Sequence, residues 1–286
     1  LESLVPALKA TIDGVKLPAH VSSISAEGIR RVHLIDAAPI GINVRSTVAT
    51  YSGVLDDIRK LFAVTEEAKA RKLKVNDFSY NTGSLRCPTC DGTGEISMDI
   101  QFLPDVEIPC PDCRGRRYSA AADEVKIPLV GGAYSVSELM NVTVSEAVKL
   151  FTTHKKIKEK LETLVGLGLG YLTLGESTPA LSGGEAQRLK LAGEMGKSQD
   201  DAVFVFDEPT IGLHPQDVRV LLGVFENLLS VGATVIVIEH DLDMIRNADY
   251  IVDMGPRGGS AGGRIVAAGT PEEIALAKES ITGKYL

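Results

Sequence analysis

The chain has 286 residues, of which 44% are hydrophobic, and a formal net charge of −8. This is enough for one large or two modest domains with a buried core, and no apolar run approaches the roughly 20 residues of a membrane span. An acidic pI of about 5.3 excludes a protein that binds nucleic acid over its whole surface, so any contact with DNA must come from a local patch.

The first 74 residues predict two helices and a strand. The apolar spacing of LESLVPALKATI, residues 1–12, is typical of a short helix. Residues 31–39, RVHLIDAAP, predict a strand. Residues 65–74 predict a short charged helix, whose basic side chains are best interpreted as a solvated face.

Four cysteines in two pairs form the strongest chemical signal. Cys87-x-x-Cys90 and Cys110-x-x-Cys113 are separated by 19 residues, close to the spacing of structural zinc sites. Four thiolates would fill the tetrahedral shell of Zn²⁺ and leave no position open for catalysis. Two disulfides are the alternative, and they are disfavoured in the cytoplasm, where we expect this protein. The intervening segment predicts a hairpin or extended arm broken at Pro104, which the metal would fold.

Basic residues beside the cysteines are candidates for contact with phosphate groups. Arg114, Arg116 and Arg117 follow the second pair, and Arg86 precedes the first. Guanidinium groups bind phosphate oxygens well. Solvated charges next to a structural zinc are an equally good interpretation, and both stay open.

A lysine-rich helix predicted over residues 145–165 leads through a glycine-rich turn to ALSGGEAQRLKL. Ser182 and Glu185 fit the S-x-x-E capping box, which satisfies free backbone amides at a helix start. Gly183 and Gly184 leave the backbone N–H groups bare, and together with the helix dipole these groups suit a phosphate. Because capping boxes are common, an ordinary capped helix is the alternative.

Two apolar runs end in residues able to act on a phosphate ester. Residues 202–206 predict a buried parallel strand that delivers Asp207 and Glu208 to its carboxyl end, where ligands of open α/β sheets collect. One acid can hold Mg²⁺, and the other can orient or deprotonate a water. Residues 233–238 predict a second buried strand, which delivers His240 to the same edge. A solvated strand end and a structural histidine are the alternatives.

The C-terminal residues predict a helix at 215–229 and a strand at 249–254. RIVAAGT then predicts a hairpin strand before a PEEIA helix. Glycines 258, 259, 262 and 263 are interpreted as a turn, because they lack the strand-to-helix setting and the lysine of a phosphate-binding loop.

These motifs carry a resemblance to known proteins. LSGGEAQR resembles the signature of an ATP-binding cassette, FVFDEP its Walker B strand, TIGLHPQD its D-loop and EHD its switch histidine, in matching order and spacing. LSGGEAQRLKLA, DEPTIGLHPQD, VIVIEHDLDMI and DMGPRGGSAGGRIVAAGTPEEIA are similar to the UvrA family, the damage-recognition ATPases of bacterial nucleotide excision repair. The resemblance continues upstream through the cysteines and corresponds to the C-terminal part of UvrA. It also implies that a turn and a helix within residues 44–63 follow the strand at 31–39. The cysteine motif CPTCDGTG also has a weak local similarity to the DnaJ family.

The resemblance implies a fold and a division of the chain. The fold is an α/β ABC-type ATPase cassette, in its second half and without the P-loop, with a helical signature subdomain and a zinc-bearing insertion that contains the four cysteines. Residues 1–56 would form the N-terminal part of the cassette, and residues 57–200 the signature subdomain with zinc at about 80–120. Residues 201–286 would form the C-terminal part.

The resemblance also implies roles and partners. Asp207 would hold Mg²⁺, Glu208 would position the water and His240 would sense the γ-phosphate. The signature residues would contact ATP held by the P-loop of a different half: Ser182, Gly183, Gly184, Glu185 and Gln187. The zinc module would help to tell damaged from normal duplex DNA, through Arg114, Arg116 and Arg117. The expected protein partners are a second ABC half or UvrA protomer and a UvrB-like repair protein, with no membrane.

Two features depart from the family pattern. The sequence contains no G-x-x-x-x-G-K-[ST], and the tripeptide Gly196-Lys197-Ser198 is excluded because Leu191 stands where the first glycine is required. Because the chain begins at Leu1 and not at methionine, we expect a fragment of a larger protein. Because the Walker A loop is absent, we expect this fragment to be inactive as an ATPase by itself. Ala37 and Ala38 stand where the family has its Q-loop glutamine.

Three interpretations remain from sequence. The first is a DNA-repair ATPase fragment of the UvrA type. The second is a UvrA-like paralogue in resistance to DNA-damaging compounds, which the missing glutamine favours. The third, the nucleotide-binding subunit of a transporter, is disfavoured because such cassettes carry no four-cysteine insertion before the signature.

Overall fold

The computed structural model describes residues 1–36, 38, 40, 43–98, 106–195, 199–211, 213, 215–255 and 262–286. Contacts divide the chain into two compact units. Unit 1 contains Leu1–Ala37 and Ser198–Leu286, and unit 2 contains Ala38–Lys197. The division into three functional parts at residues 56 and 200 stays a prediction. Within the described ranges, no helix is long and apolar enough to cross a membrane.

Some predictions concern residues outside these ranges. They are Ala37 of the Q-loop, Pro104 of the arm, the tripeptide Gly196-Lys197-Ser198, Gly212 and His214 of the D-loop, and Gly258 and Gly259.

The helices and strands, taken in chain order, are as follows. The helices are α1 (Leu4–Ile12), α2 (Val48–Tyr51), α3 (Val54–Ala63), α4 (Glu66–Ala70), α5 (Val136–Met140), α6 (Val144–Leu150), α7 (Lys155–Gly166), α8 (Gly183–Ala192), α9 (Pro215–Ser230), α10 (Leu242–Arg246) and α11 (Pro271–Leu276). The strands are β1 (Arg31–Ile35), β2 (Glu95–Met98), β3 (Val106–Pro109), β4 (Lys126–Leu129), β5 (Gly132–Ser135), β6 (Ala202–Asp207), β7 (Thr234–Ile238), β8 (Ile251–Gly255) and β9 (Arg264–Gly269).

Unit 1 is built on a parallel three-stranded sheet in the order β1-β6-β7. β6 lies in the middle, and residues 202–206 are all buried because this strand is apolar on both faces. From α1, Val5 and Leu8 pack with Val203 and Val205 in one core cluster. The strand predicted at 202–206 is therefore confirmed, and it forms the centre of the unit.

The second strand predicted from the sequence is present as β7, but the prediction that it is buried is wrong. It pairs in parallel with β6, but its residues are half-buried or exposed, and Thr234 and Ile238 at its two ends are exposed. Among the described residues, it has a hydrogen-bonded neighbour on one side only. Its sequence TVIVI suits a strand with neighbours on both sides, so the open edge explains the exposure.

The C-terminal part of unit 1 contains a second, antiparallel pair, β8 and β9. α11 packs against β9. The hydroxyl groups of Ser280 and Thr282 donate hydrogen bonds to the Asp253 carboxylate at 2.5 and 3.2 Å, which ties the chain terminus to β8. The strand, hairpin strand and helix predicted here are confirmed.

Helices outnumber strands in the described part of unit 2, and both of the longer helices predicted for it are interrupted. Gly53, with a left-handed φ of 67°, separates α2 from α3. The helix predicted over 145–165 ends at Leu150 and begins again at Lys155, because the chain turns beside the fully buried Phe151 to pack α6 against α7. These turns bring α3 and α7 into contact.

Two antiparallel pairs extend from unit 2. The hairpin predicted between the cysteine pairs is confirmed as β2 and β3, in which Ile96 lies opposite Ile108. The other pair, β4 and β5, turns at Val130 and Gly131 and was not predicted from the sequence.

Candidate functional site

Parallel strands β6 and β7 bring acids and a histidine to one sheet edge. Asp207 ends β6 and Glu208 follows it, while Glu239 and His240 follow β7. Because the strands are parallel neighbours, these side chains meet, and His240 Nδ1 lies 3.8 Å from Glu208 Oε1. Both side chains face solvent, at 45% exposure for Glu208 and 76% for His240. The structure thus brings together two residues that are 32 positions apart in the sequence.

Glu208 adopts an uncommon backbone conformation. Its φ is +46°, in the left-handed region that residues with a side chain rarely occupy. The Glu208 N–H donates to Ile238 O at 2.9 Å, and Ile211 N–H donates to Glu208 O at 3.2 Å. Such strain persists only where the surroundings impose it, and it is concentrated at functional sites. Here it directs the carboxylate that follows β6 towards His240.

Glu239 is a residue of this site that the sequence analysis did not single out. Its side chain is only 3% exposed. One carboxylate oxygen accepts from the backbone N–H of Thr210 at 2.8 Å and from the Thr210 hydroxyl. The other accepts from the N–H groups of His240 at 2.7 Å and Asp241 at 3.1 Å. Burial favours a raised pKa for Glu239, but these hydrogen bonds outweigh it and hold the pKa below its usual value.

The contacts of Glu239 connect two loops of the site. Thr210 belongs to the loop after β6, and His240 belongs to the loop after β7. A single ionised carboxylate therefore determines where the histidine backbone lies relative to the acids. An acid directly before His240, at the end of a predicted strand, was the sequence signal that could have identified it.

The signature turn in unit 2 has the predicted capping box. The Ser182 hydroxyl accepts from Glu185 N–H at 3.3 Å, and the Glu185 carboxylate accepts from Ser182 N–H at 2.6 Å and from the Tyr171 hydroxyl. Burial opposes ionisation of Glu185, yet the hydrogen bonds from Tyr171 and Ser182 lower its pKa. Ser182 and Gly183 are exposed at the start of α8, so the turn is open to a ligand.

The remaining signature residues lie deeper. Gly184 is half-buried, and Gln187 is buried at 3% exposure within the packed face of α8. Lys190 Nζ, further along the same helix, donates to the carbonyl oxygen of Ala38 at 2.8 Å. The helix thus holds the backbone at the position where the family glutamine is absent.

The four cysteines come together as predicted. Their sulfur atoms all lie within 4.8 Å of one another, and all four residues are buried. Cys87 Sγ is 3.9 Å from Cys110 Sγ, and Cys90 Sγ is 3.7 Å from Cys113 Sγ. Disulfide sulfurs would be about 2.05 Å apart. Tetrahedral Zn²⁺ with bonds of about 2.3 Å places its thiolates about 3.8 Å apart, so the cluster fits a zinc ion.

The surroundings of the cysteines also fit a metal that binds thiolates. The Gly94 N–H donates to Cys90 Sγ at 3.3 Å. Burial raises the pKa of the Cys113 thiol to about 12, and a bound divalent cation would favour the thiolate instead. Gly92 has a φ of +81°, and a Cβ there would lie 1.8 Å from the Tyr80 carbonyl oxygen, so no other residue fits this close turn.

The three predicted DNA-contacting arginines have different positions. Arg114 is exposed and makes no ion pair in the described part of the chain. Arg116 is half-buried and pairs with Asp123 at 3.2 Å. Arg117 is only 5% exposed, which argues against a direct phosphate contact, because its guanidinium is inside the fold.

Arg117 instead links the segment that carries the cysteines to the segment around Val44. Its Nη1 donates to Val44 O at 3.1 Å, and its guanidinium lies 5.3 Å from the Tyr80 ring centre. Arg45 makes a second link, because its Nη2 lies 2.8 Å from Asp91 Oδ2. Asp91 follows the first cysteine pair and precedes β2. The Tyr80 hydroxyl donates to the Arg45 carbonyl oxygen at 2.9 Å. Arg86 also pairs with Asp91, at 3.0 Å.

Comparisons with known proteins agree with these motifs. No protein-family profile matches the chain. The UvrABC system protein A of Lactiplantibacillus plantarum is 48% identical over 271 residues, which are 94% of this chain and 28% of that protein. The same protein of Clostridium perfringens is 48% identical over 288 residues, 100% of this chain and 30% of that protein. The crystal structure of UvrA2 from Deinococcus radiodurans is 41% identical, with a TM-score of 0.90 over 98% of this chain and 34% of that one.

The chain therefore spans less than a third of the length of the curated relatives it matches. The structural likeness extends over nearly all of its own residues, at an identity well above that of a fold resemblance alone. The predicted fold class, an α/β cassette with a cysteine-bearing insertion, is confirmed.

Proposed function

This chain belongs to the UvrA family, and from that premise we propose that it couples ATP binding and hydrolysis to the recognition of damaged DNA in excision repair. It would do so as part of a larger UvrA-type protein. The observation that carries the proposal is the meeting of Glu208 and His240, 3.8 Å apart at the carboxyl ends of β6 and β7. Acids and a histidine at this edge have the reach needed to act on a terminal phosphate.

Each residue at the edge has a part in hydrolysis. Asp207 would hold Mg²⁺, which supplies Lewis-acid stabilisation of phosphate charge when bound. Glu208 accepts a proton from the attacking water or orients it, and its strained backbone holds the carboxylate in place for this. His240 donates a hydrogen bond to the γ-phosphate. Glu239 fixes the position of the His240 backbone relative to Thr210 through its four hydrogen bonds.

The signature turn would act on ATP bound by another cassette. Ser182 and Gly183 are exposed, as such a contact requires. The sequence contains no phosphate-binding loop of the Walker A type, so in this proposal the loop is supplied from outside these 286 residues. The open edge of β7 supports this, because a further parallel strand can pair there. The second cassette would lie in the same protein or in a second protomer, and a UvrB-like protein would receive the lesion.

The zinc module would contact DNA. Zn²⁺ held by the four cysteines would supply folding energy to the hairpin of β2 and β3. Arg114, exposed beside Cys113, is the best placed of the predicted arginines to reach a phosphate. Arg45 and Arg117 connect the module to the segment that follows the Q-loop, which offers a route for nucleotide-dependent movement.

A Glu208→Gln substitution in the full-length zinc-loaded protein tests the proposal. We expect the variant to bind ATP but to hydrolyse it at least about 100-fold more slowly, because the amide cannot accept the proton. Glu226→Gln, an exposed glutamate on α9 of the same unit, is the matched control and should hydrolyse ATP normally. Unchanged turnover in Glu208→Gln would reject the assigned role, and loss of damage-selective DNA binding on chelation of zinc would support the DNA part.

A second candidate is a UvrA-like paralogue that acts in resistance to DNA-damaging compounds. The observation that favours it is Ala38, whose carbonyl oxygen is held by Lys190 at the position of the missing glutamine. Damage-specific DNA binding without support of excision, in an assay with UvrB-type and UvrC-type partners, would favour this candidate.

A further inference from the structure

Three lysines of unit 2 converge on a single carboxylate. Asp57 on α3 lies 2.9 Å from Lys60 Nζ on the same helix. From α7, Lys156 Nζ lies 3.1 Å and Lys160 Nζ 2.8 Å from the Asp57 carboxylate oxygens. We call Asp57, Lys60, Lys156 and Lys160 the lysine cluster. Its four side chains carry a net charge of +2 in a chain whose net charge is −8.

Structural needs account for only one of these lysines. Lys160 is the least exposed of the three, and its Nζ also donates to the Gly53 carbonyl oxygen at 2.7 Å. It neutralises Asp57 and joins α7 to the start of α3. Lys60 and Lys156 add two further positive charges that repel Lys160 and each other. Their side chains stay 60% and 69% exposed.

The other charged pairs on α7 each consist of one lysine and one glutamate. Lys155 lies 3.7 Å from Glu159, and Lys158 lies 3.4 Å from Glu162, so each lysine has one acid of its own. These are ordinary i,i+4 pairs on a solvated helix face. The excess of positive charge is therefore confined to the face of α7 that meets α3.

We propose that Lys60 and Lys156 form a docking site for the phosphodiester backbone of duplex DNA. Each ammonium group has three N–H donors and uses one on Asp57, which leaves donors directed to solvent for phosphate oxygens. Lysine acts on a phosphate as a point charge and does not read base sequence. The choice of DNA as the occupant rests on the proposed function, and the site adds a sequence-independent contact to that of the zinc module. An anion placed here would also relieve the repulsion among the three ammonium groups.

The test compares two double variants of the full-length zinc-loaded protein. Lys60→Gln with Lys156→Gln removes the excess charge and leaves the Asp57–Lys160 pair intact. Lys155→Gln with Lys158→Gln removes the same charge from the neighbouring face of α7. Binding to a fluorescent undamaged duplex is measured across a range of salt concentrations, after thermal unfolding has shown that both variants fold as the unmodified protein does.

The first variant should make the negative slope of log K against log salt shallower by about 1.8, since each phosphate contact contributes about −0.9. The control should keep the slope of the unmodified protein. Equal slopes in all three proteins would overturn the proposal while leaving the proposed function in place. Failure of the unmodified protein to bind duplex DNA at all would overturn both. A last measurement uses polyglutamate as the probe. If polyglutamate binds the unmodified protein but not the first variant, and the salt slope for DNA is the same in both, the lysine cluster binds an acidic polypeptide and the DNA proposal is rejected.

Discussion

The buried carboxylate of Glu239 offers the sharpest prediction about the candidate ATP site. A Glu239→Gln substitution replaces one carboxylate oxygen by an NH₂ group. Each oxygen now accepts two hydrogen bonds from N–H or O–H donors. With the NH₂ group beside Thr210, the Thr210 hydroxyl can turn to accept from it, but the Thr210 N–H loses its acceptor and the other bonds are made to a neutral group. A hydrogen bond to a charged group contributes about 1.5–3 kcal/mol and one between neutral groups about 0.5–1.5 kcal/mol, so the loss of one bond and the weakening of the others should lower the free energy of unfolding by about 3–6 kcal/mol. The side chain is 3% exposed, and water cannot replace the lost acceptor.

Urea unfolding monitored by far-UV circular dichroism measures this loss directly, and the method suits a chain without tryptophan. Glu226→Gln on α9 is the matched control, since an exposed side chain should change stability by less than about 0.5 kcal/mol. A second control, His240→Ala, removes an exposed ring and should also leave stability close to that of the unmodified chain. A loss below about 1 kcal/mol in Glu239→Gln would refute the reasoning that this carboxylate connects the two loops.

Three further predictions concern unit 2. Removal of zinc by a chelator should expose the amides of β2 and β3 to hydrogen exchange while those of β6 stay protected, because the metal contributes on the order of 10 kcal/mol to so small a unit. The pKa of Asp57 is held below its usual value, since hydrogen bonds from Lys160, Lys60 and Lys156 outweigh the opposing effect of burial. Its stabilising contribution is therefore present above about pH 4 and is lost as the pH falls through the lowered folded-state pKa, so the difference in urea midpoint between the unmodified chain and Asp57→Asn should narrow over that range. Arg117→Lys should cost about 1–3 kcal/mol through its lost contacts with Val44 and Tyr80, whereas Arg114→Lys should cost almost nothing.

Local patterns allowed much of the fold to be predicted. The capping box at Ser182, the central strand at 202–206 and the hairpin between the cysteine pairs follow from residues within a few positions of one another. Such features depend on backbone hydrogen bonding and on apolar periodicity, which sequence displays directly. The cysteine spacing likewise predicted that four sulfur atoms come together, in an arrangement that fits a metal ion.

Sequence could not place residues whose surroundings come from distant segments. Arg117 is buried against a segment 73 residues earlier in the chain, and its contact with DNA stays a prediction. β7 was predicted to be buried, but its exposure depends on whether a neighbour pairs with its second edge. The helices over 44–63 and 145–165 are interrupted because their halves pack in different directions. Hydrophobic spacing does not show the direction in which a helix packs.

By itself, the sequence determined the chemical groups of this protein and their order: paired acids, a histidine, a capped glycine turn and four cysteines. It determined these because each depends on residue type and short spacing. Only the tertiary structure decided which groups meet. Asp57 and Lys156 are 99 residues apart, and Thr210 and Glu239 are 29 apart. Contacts at such separations are set by the packing of helices and strands, so the lysine cluster and the role of Glu239 appeared only once the chain was folded.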